Sequence, residues 1–218
     1  VLISQGKIKI NNVVTTTLGI KVKLQDKITY NGEILKLEKH RYILINKPKN
    51  CITTVKDTHD RKTVMDIIKG ACKERLYPVG RLDRETTGLL LMTNDGELTK
   101  RLTHPSFGVN KTYIIQLENS IHPDCLKEMI KGVKLIDGVV RYDNVKYGRN
   151  QTDRTQLIVK LHSGKNRVIR RTMEYYNKKV LHLDRIEFAG IKKGDLVRGK
   201  WRFLQPKEIG YLKMTKMH

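Results

Sequence analysis

The first 37 residues alternate short apolar and polar runs, which is the pattern of strands that bury one face. Strands are predicted at residues 7–10, 13–14, 20–24 and 27–30, joined in part by Asn-Asn and Asn-Gly turns. A piece of this size buries too little apolar surface to be stable alone. We therefore expect residues 1–38 to be a partial domain whose first helices are missing, followed by a linker at 39–41.

A larger domain is predicted over residues 42–218, where longer strands are interspersed with short helices. Strands are predicted at 42–45, 88–92, 111–117 and 156–161, and helices at 63–69, 97–103, 124–131 and 208–214. Asp137-Gly138 predicts a hairpin turn. A chain of 218 residues is long enough to bury a sizeable core in one domain beside a smaller one.

The polar loop at residues 81–87 carries a carboxylate between two cations. Asp83 lies between Arg81 and Arg84, and nearby cations favour the charged form of a carboxyl group. An ionised carboxylate suits a nucleophile better than a general acid. On spacing alone, a surface turn residue paired with Arg84 is the commoner explanation of so short a motif.

A strand, a polar cap and a basic helix are predicted to follow one another in the second half of the chain. Ser163 or Gly164 is predicted to cap the helix, and Arg167, Arg170 and Arg171 are spaced to share one of its faces. The first turn of a helix offers free backbone N–H groups and the positive end of the helix dipole. These features predict an anion-binding site, with a solvated basic helix face as the alternative.

Positive charge is in large excess and is spread along the whole chain. Lys and Arg number 44 against 22 Asp and Glu, which gives a formal net charge of +22. Dispersed charge of this size predicts a polyanionic partner, with nucleic acid as the leading candidate. A basic enzyme that is unrelated to nucleic acid is the alternative.

Cysteine usage and hydropathy indicate the compartment. The three cysteines, Cys51, Cys72 and Cys125, are far apart and have no metal-ligand spacing, so neither a disulfide framework nor a zinc site is predicted. No apolar run approaches the roughly 18 residues of a membrane span, and the N-terminus lacks the pattern of a signal peptide. We therefore expect a soluble cytoplasmic protein that needs no metal or organic cofactor and binds no membrane.

Several of these stretches resemble one enzyme family. Gly80-Arg81-Leu82-Asp83, the run Thr87-Gly88-Leu89-Leu90-Leu91 and the turn Thr93-Asn94-Asp95-Gly96 resemble the motifs of RNA pseudouridine synthases of the RsuA/RluB type. Lys111-Thr112-Tyr113 resembles the element that carries the active-site tyrosine in that family, and residues 164–173 resemble its third motif. Residues 3–11 resemble the second half of an S4 RNA-binding domain.

The resemblance implies an α+β fold, with a mixed, mainly antiparallel sheet flanked by helices and a small partial S4 domain before it. It also implies isomerisation of a specific uridine in ribosomal RNA to pseudouridine, with the large subunit favoured. The target nucleotide has to be flipped out of the RNA into a pocket. The implied partner is ribosomal RNA or a pre-ribosomal particle, and a monomer is the default.

The resemblance implies three catalytic residues. Asp83 is the nucleophile, Arg170 is the cation paired with it, and Tyr113 stacks on the flipped uracil and takes part in proton transfer. For Tyr113, the strand pattern alone favours an amphipathic packing residue. RNA contacts are predicted for Arg81, Lys47, Lys165, Asn166, Arg167, Arg171, Lys7 and Lys9. A structural role or plain solvation is the alternative for Lys47, and a solvated strand face is the alternative for Lys7 and Lys9.

Two positions depart from the family's third motif. Val168 replaces the usual Gln, and Ser163 precedes the glycine where Glu is common. Neither position is expected to do chemistry, so the departures concern local hydrogen bonds and RNA contacts. A non-catalytic RNA-binding or ribosome-assembly factor is the alternative function, for which Asp83, Tyr113 and Arg170 need not converge. A metal-dependent nuclease would need clustered carboxylates.

Overall fold

The computed structural model describes residues 2–23, 25–35, 38–148, 150 and 152–214, and the chain divides into two units, Val1–Lys39 and His40–His218. The first unit holds a four-stranded antiparallel sheet in the order β2-β1-β3-β4. Its strands are β1 (Ile8–Ile10), β2 (Val13–Thr15), β3 (Ile28–Tyr30) and β4 (Glu33–Ile34). The assignment of this unit to an S4-like RNA-binding domain stays a prediction.

The strand predicted at residues 20–24 is wrong where the structure describes it. Residues 20–23 lie outside any strand, and Leu24 is outside the described residues. Asp26 holds this segment instead, since its carboxylate accepts hydrogen bonds from Lys23 N at 2.7 Å and from Asn11 Nδ2 at 2.9 Å. A side-chain turn therefore replaces the expected ladder of backbone hydrogen bonds.

The second unit contains the longer strands and the five α-helices of the described chain. Its strands are β5 (Tyr42–Lys47), β6 (Tyr77–Pro78), β7 (Thr87–Thr93), β8 (Lys111–Leu117), β9 (Val133–Leu135), β10 (Gly138–Val140), β11 (Asn144–Tyr147), β12 (Gln156–Leu161), β13 (Val180–Phe188), β14 (Ile191–Lys192) and β15 (Trp201–Phe203). Its helices are α1 (Val64–Ile67), α2 (Gly96–Thr103), α3 (Pro123–Lys131), α4 (Val168–Tyr175) and α5 (Pro206–Lys213), and a 3-10 helix spans Pro105–Phe107.

The sheet is mixed and mainly antiparallel, as predicted. Seven strands follow the order β11-β12-β8-β13-β7-β5-β15, while β14 pairs with β13 and β6 with β7. Only the β13–β7 pair is parallel among the described pairs of this sheet. The hairpin of β9 and β10 forms a separate two-stranded sheet around the predicted Asp137-Gly138 turn.

The centre of the sheet is covered on both faces. In β5, Ile43 and Ile45 pack into one buried cluster, whereas Tyr42 and Leu44 pack into the other. This alternation follows from the two-residue period of a strand. Strands buried on both faces are continuously apolar, which explains the unbroken run of leucines that β7 carries.

A glycine allows the parallel pair to form. Gly88 of β7 lies beside Arg185 of β13 and has a φ of +106°. A Cβ atom at this position would lie 2.2 Å from the Arg185 carbonyl oxygen. Only a residue without a side chain permits this approach, so Gly88 brings the loop before β7 close to β13.

The helix predicted after the Asn-Asp-Gly turn is confirmed as α2. Asp95 caps it by accepting a hydrogen bond from Leu98 N at 2.9 Å. The Tyr42 hydroxyl donates to the other oxygen of the same carboxylate at 2.7 Å. Asp95 therefore stabilises the start of α2 and has a structural role.

Candidate active site

The loop between β6 and β7 presents Asp83 without placing it on a regular element. The Asp83 side chain is 35% exposed, and its carbonyl accepts a hydrogen bond from Thr86 N at 3.1 Å. The neighbours of Asp83 in the chain are bound from the segment that follows β5. Thr53 Oγ1 donates to Leu82 O at 2.8 Å, and Asn50 N donates to Arg84 O at 3.1 Å.

Tyr113 lies on β8, between β12 and β13. It pairs with Val159 on one side and with Arg185 on the other, and it is 9% exposed. Alternation along β8 turns Tyr113, Ile115 and Leu117 inward, as the sequence predicts. The tyrosine ring is therefore fixed by strands on both sides.

The predicted cap of α4 is wrong. The helix begins at Val168, and its N-cap is Arg167, which has a left-handed backbone (φ 45°) and makes no side-chain capping bond. The carbonyl groups of residues 162 and 163 are bound by β8 before the helix begins, because Lys111 Nζ donates to His162 O at 3.0 Å and to Ser163 O at 3.5 Å. Arg167 therefore precedes the helix and does not share a helical face with Arg170 and Arg171.

These elements enclose a cavity of about 400 Å³. All three predicted catalytic residues line it, namely Asp83, Tyr113 and Arg170. Of the residues predicted to contact RNA, the lining also includes Arg81, Lys165, Asn166 and Arg167. Residues far apart in the sequence thus meet at one site.

Charge in the cavity is strongly asymmetric. Within the described part of the chain, Asp83 is the only carboxylate in the lining, and it faces six cations: Arg81, Lys111, Lys165, Arg167, Arg170 and Arg185. Such a surface attracts a polyanion.

The cation nearest to Asp83 differs from the one predicted. Arg167 Nη1 lies 3.8 Å from Asp83 Oδ2, and it is the only ion pair within 4.0 Å that Asp83 makes among the described residues. Arg170 instead donates from Nη1 to Val180 O at 3.3 Å, and its buried Nε has no hydrogen-bond partner among the described residues. Burial lowers the pKa of Arg170, Arg167 adds to this effect, and Asp83 opposes it.

Two further cations of the lining, the buried Arg185 and the partly buried Lys111, were not predicted as site residues. Arg185 is 2% exposed, donates from Nε to Leu89 O at 2.7 Å and lies 4.6 Å from the centre of the Phe188 ring. Burial, reinforced by Arg185, lowers the pKa of Lys111 to about 8. Arg185 follows the buried Leu183 by two residues, so the strand period was the signal that marked it as inward-facing.

The other predicted RNA contacts lie outside the cavity lining. Arg171 Nη2 pairs with Asp137 Oδ2 at 2.9 Å, and this lowers the pKa of Asp137. Lys47 is fully buried and donates to Cys51 O at 2.6 Å, Pro48 O at 3.1 Å and Arg84 O at 3.3 Å. This favours its structural alternative over a phosphate contact. Lys7 and Lys9 belong to the first unit, and both are exposed.

No three His, Cys, Asp or Glu side chains are grouped to hold a metal ion in the described part of the chain. Within the same residues, the structure contains no helix with the length and apolar character that a bilayer crossing requires.

Comparisons with known proteins agree on one family. Residues 41–175 match the family described as RNA pseudouridylate synthase. The chain is 38% identical over 213 residues to an uncharacterized RNA pseudouridine synthase of Aquifex aeolicus (strain VF5), covering 97% of this chain and 85% of that protein. It is 36% identical over 221 residues to the ribosomal large subunit pseudouridine synthase B of Bacillus subtilis (strain 168), covering 100% and 89%.

A solved structure has the same fold. The crystal structure of a pseudouridylate synthase matches with a TM-score of 0.72 and 25% sequence identity, over 96% of this chain and 90% of that chain. The family match, the two relatives and this structure agree with the motifs that line the cavity. The chain therefore belongs to the RNA pseudouridylate synthase family, and it is an isomerase.

Proposed function

We propose that the protein isomerises a specific uridine of large-subunit ribosomal RNA to pseudouridine, with Asp83 as the nucleophile. The convergence of Asp83, Tyr113 and Arg170 on one cavity is the observation that carries this proposal. A non-catalytic RNA-binding factor would not need it. The Bacillus subtilis relative acts, by its name, on the large ribosomal subunit, which favours that RNA as the substrate.

The cavity suits one nucleotide rather than a stretch of RNA. Its volume of about 400 Å³ lies toward the small end of the range for ligand pockets. A base inside a helix or a tight loop cannot enter the cavity in place, so the target nucleotide is flipped into it. Tyr113 stacks on the uracil, while Arg81, Lys165 and Arg167 contact the RNA backbone.

The reaction exchanges one bond to the sugar for another. The Asp83 carboxylate attacks the sugar or the base ring, and the N1–C1′ bond breaks. The freed uracil turns, its C5 atom forms the new bond to C1′, and the bond to Asp83 breaks, which regenerates the carboxylate. C5 loses its proton and N1 gains one, so the product has the composition of the substrate. Arg167 pairs with the Asp83 carboxylate in the free enzyme. Arg170 adds positive charge to the cavity, and Tyr113 takes part in proton transfer.

The proposed substrate also indicates the compartment and the oligomeric state of the protein. A ribosomal RNA substrate, free or in a pre-ribosomal particle, accounts for the net charge of +22. It implies a cytoplasmic enzyme, and a monomer is the default because the three proposed catalytic residues all come from one chain.

Pseudouridine mapping of ribosomal RNA tests the proposal. Cells that lack the protein are complemented with wild type, Asp83→Asn or Asp124→Asn. Asp124 serves as the matched control, since it is an exposed carboxylate on α3 and does not line the cavity. We expect one large-subunit site to disappear without the protein and to return with wild type and Asp124→Asn only.

Two results would contradict the proposal in different ways. If Asp83→Asn restores the pseudouridine, Asp83 is not the nucleophile. If no site changes in any strain, the non-catalytic RNA-binding factor becomes the better explanation.

A further inference from the structure

The segment after β5 holds the backbone on both sides of Asp83. Thr53 Oγ1 donates to Leu82 O at 2.8 Å and accepts from Leu82 N at 3.3 Å. Asn50 N and Lys47 Nζ both donate to Arg84 O, at 3.1 and 3.3 Å. The residue before Asp83 and the residue after it are thus each bound from the same segment.

Thr53 contributes the only side-chain hydroxyl to this arrangement within the described chain, and that hydroxyl bonds both backbone groups of Leu82. Leu82 is only 6% exposed, so little water can replace the hydroxyl. A buried backbone group that loses its partner costs free energy. A methyl group in place of the hydroxyl therefore leaves Leu82 N–H and C=O to find new partners, and the peptide plane that leads into Asp83 is free to rotate.

Such a rotation matters because Asp83 lies on an irregular loop. A residue on a strand or helix is fixed by its neighbours' ladder of hydrogen bonds, whereas a loop residue depends on contacts like those of Thr53. A displacement of about 1 Å between reacting groups can cost on the order of 100-fold in rate. The peptide between Leu82 and Asp83 is the nearest backbone group whose rotation changes the direction of the carboxylate.

We infer that Thr53 is a positioning residue for catalysis, whose hydroxyl sets the direction of the Asp83 carboxylate through the backbone of Leu82. This inference rests on the proposed role of Asp83 as nucleophile. Thr53 is absent from the cavity lining, so it acts through Leu82 and not by touching the substrate.

The neighbouring threonine provides a matched control. Thr54 Oγ1 donates to Lys56 O at 2.7 Å, within its own loop, and makes no bond to the Asp83 loop among the described contacts. Thr53→Val and Thr54→Val delete the same hydroxyl from adjacent positions. Thr53→Ser restores the hydroxyl without the methyl group.

The test measures kcat, KM and RNA affinity with the ribosomal RNA substrate. We expect Thr53→Val to lower kcat about 10- to 100-fold, with KM and RNA affinity within about twofold of wild type. Thr53→Ser should stay within about threefold of wild type, and Thr54→Val should match it. A merely structural role would lower the amount of folded enzyme without this split between kcat and KM.

Other outcomes overturn the inference. An unchanged kcat in Thr53→Val, a rise in KM alone, or no rescue by serine would each do so. If Thr53→Val does not fold, Thr53→Ala takes its place, and failure of both to fold assigns the hydroxyl to stability instead. An Asp83→Asn enzyme with wild-type kcat defeats the proposed function and this inference together, whereas an inactive Asp83→Asn beside an active Thr53→Val defeats the inference alone.

Discussion

Arg167 Nη1 and Asp83 Oδ2 lie 3.8 Å apart across the cavity, and both side chains remain partly exposed. An ion pair of this length and exposure contributes little stability, about 0–1 kcal/mol. It can therefore open when a substrate enters, after which the guanidinium is free to bind a phosphate of the RNA. In the proposed reaction, the pair occupies the position where the Asp83 carboxylate and the substrate meet.

Replacement of Arg167 by glycine removes the charge of its side chain and keeps the conformation of its backbone. Glycine accepts the left-handed backbone at this position, so we expect the unfolding free energy to stay within about 0.5 kcal/mol of wild type. Activity should fall about tenfold, and the slope of log affinity against log salt should shrink by about one. Asn177→Gly, at the other left-handed position beside α4, controls for the backbone, and equal activities of the two variants would contradict the expected role.

Asp137 restrains two cations that are predicted to bind RNA. It pairs with Arg171 at 2.9 Å, and Lys165 Nζ donates to its carbonyl at 2.6 Å and lies 3.8 Å from its carboxylate. Asp137→Asn removes the competing negative charge, so we expect RNA to bind about 3- to 10-fold more tightly at low salt. The gain should vanish at high salt. Asp124→Asn, which leaves Lys127 unpaired on α3, should change the affinity less, and weaker binding by Asp137→Asn would disprove the effect.

Substitution of Gly88 and of Gly210 by alanine should change the free energy of unfolding in opposite directions. The Cβ of Gly88→Ala would lie 2.2 Å from Arg185 O, so we expect a loss of about 3–5 kcal/mol of unfolding free energy or no folded protein. A Cβ on Gly210, inside α5, meets nothing within 4 Å. Gly210→Ala should therefore stabilise the protein by about 0.5–1 kcal/mol. Denaturant unfolding measures both, and a stable Gly88→Ala protein would refute the required approach of β7 and β13.

Lys47 should make stability depend on pH in the alkaline range. Burial lowers its pKa from 10.5 to about 8, so between these values the unfolded chain holds a proton that the folded chain has lost. Unfolding then becomes harder as pH rises, and the destabilisation present below pH 8 disappears by about pH 10.5. We expect the stability of wild type relative to Lys47→Met to rise by at most about 3 kcal/mol from pH 7.5 to 10.5. A difference that does not change with pH would show that Lys47 titrates normally.

Local patterns were sufficient to predict the elements that frame the site. The strand at Lys111–Leu117 has a clear two-residue period, and α2 has a capping aspartate at its start and His104-Pro105 at its end. The Asp137-Gly138 hairpin depends on turn chemistry that needs no distant partner. The resemblance to a family then identified three residues that do line one cavity.

Long-range contacts account for what could not be predicted. The start of α4 depends on Lys111, which binds the carbonyls of residues 162 and 163 from another strand. The Arg167–Asp83 pair depends on the left-handed backbone that results. The burial of Lys47 depends on three carbonyls gathered from two loops. Apart from Pro48 and Cys51, which are close to Lys47 in the sequence, these partners are too distant along the chain to leave a local pattern.

The parallel pairing of β7 with β13 also bears on how the protein comes to be folded during its synthesis. Thr87 and Asp184, which are bonded across this pair, are 97 residues apart. A nascent chain therefore contains Asp83 and Tyr113 well before β13 exists to join the two halves of the sheet, whereas Arg170 is made shortly before it. Closing so long a loop is slow. Until this loop closes, the edges of β7 and β8 are open to pairing with other chains. By pairing with both strands, β13 completes the cavity and also protects the newly synthesised protein from aggregation.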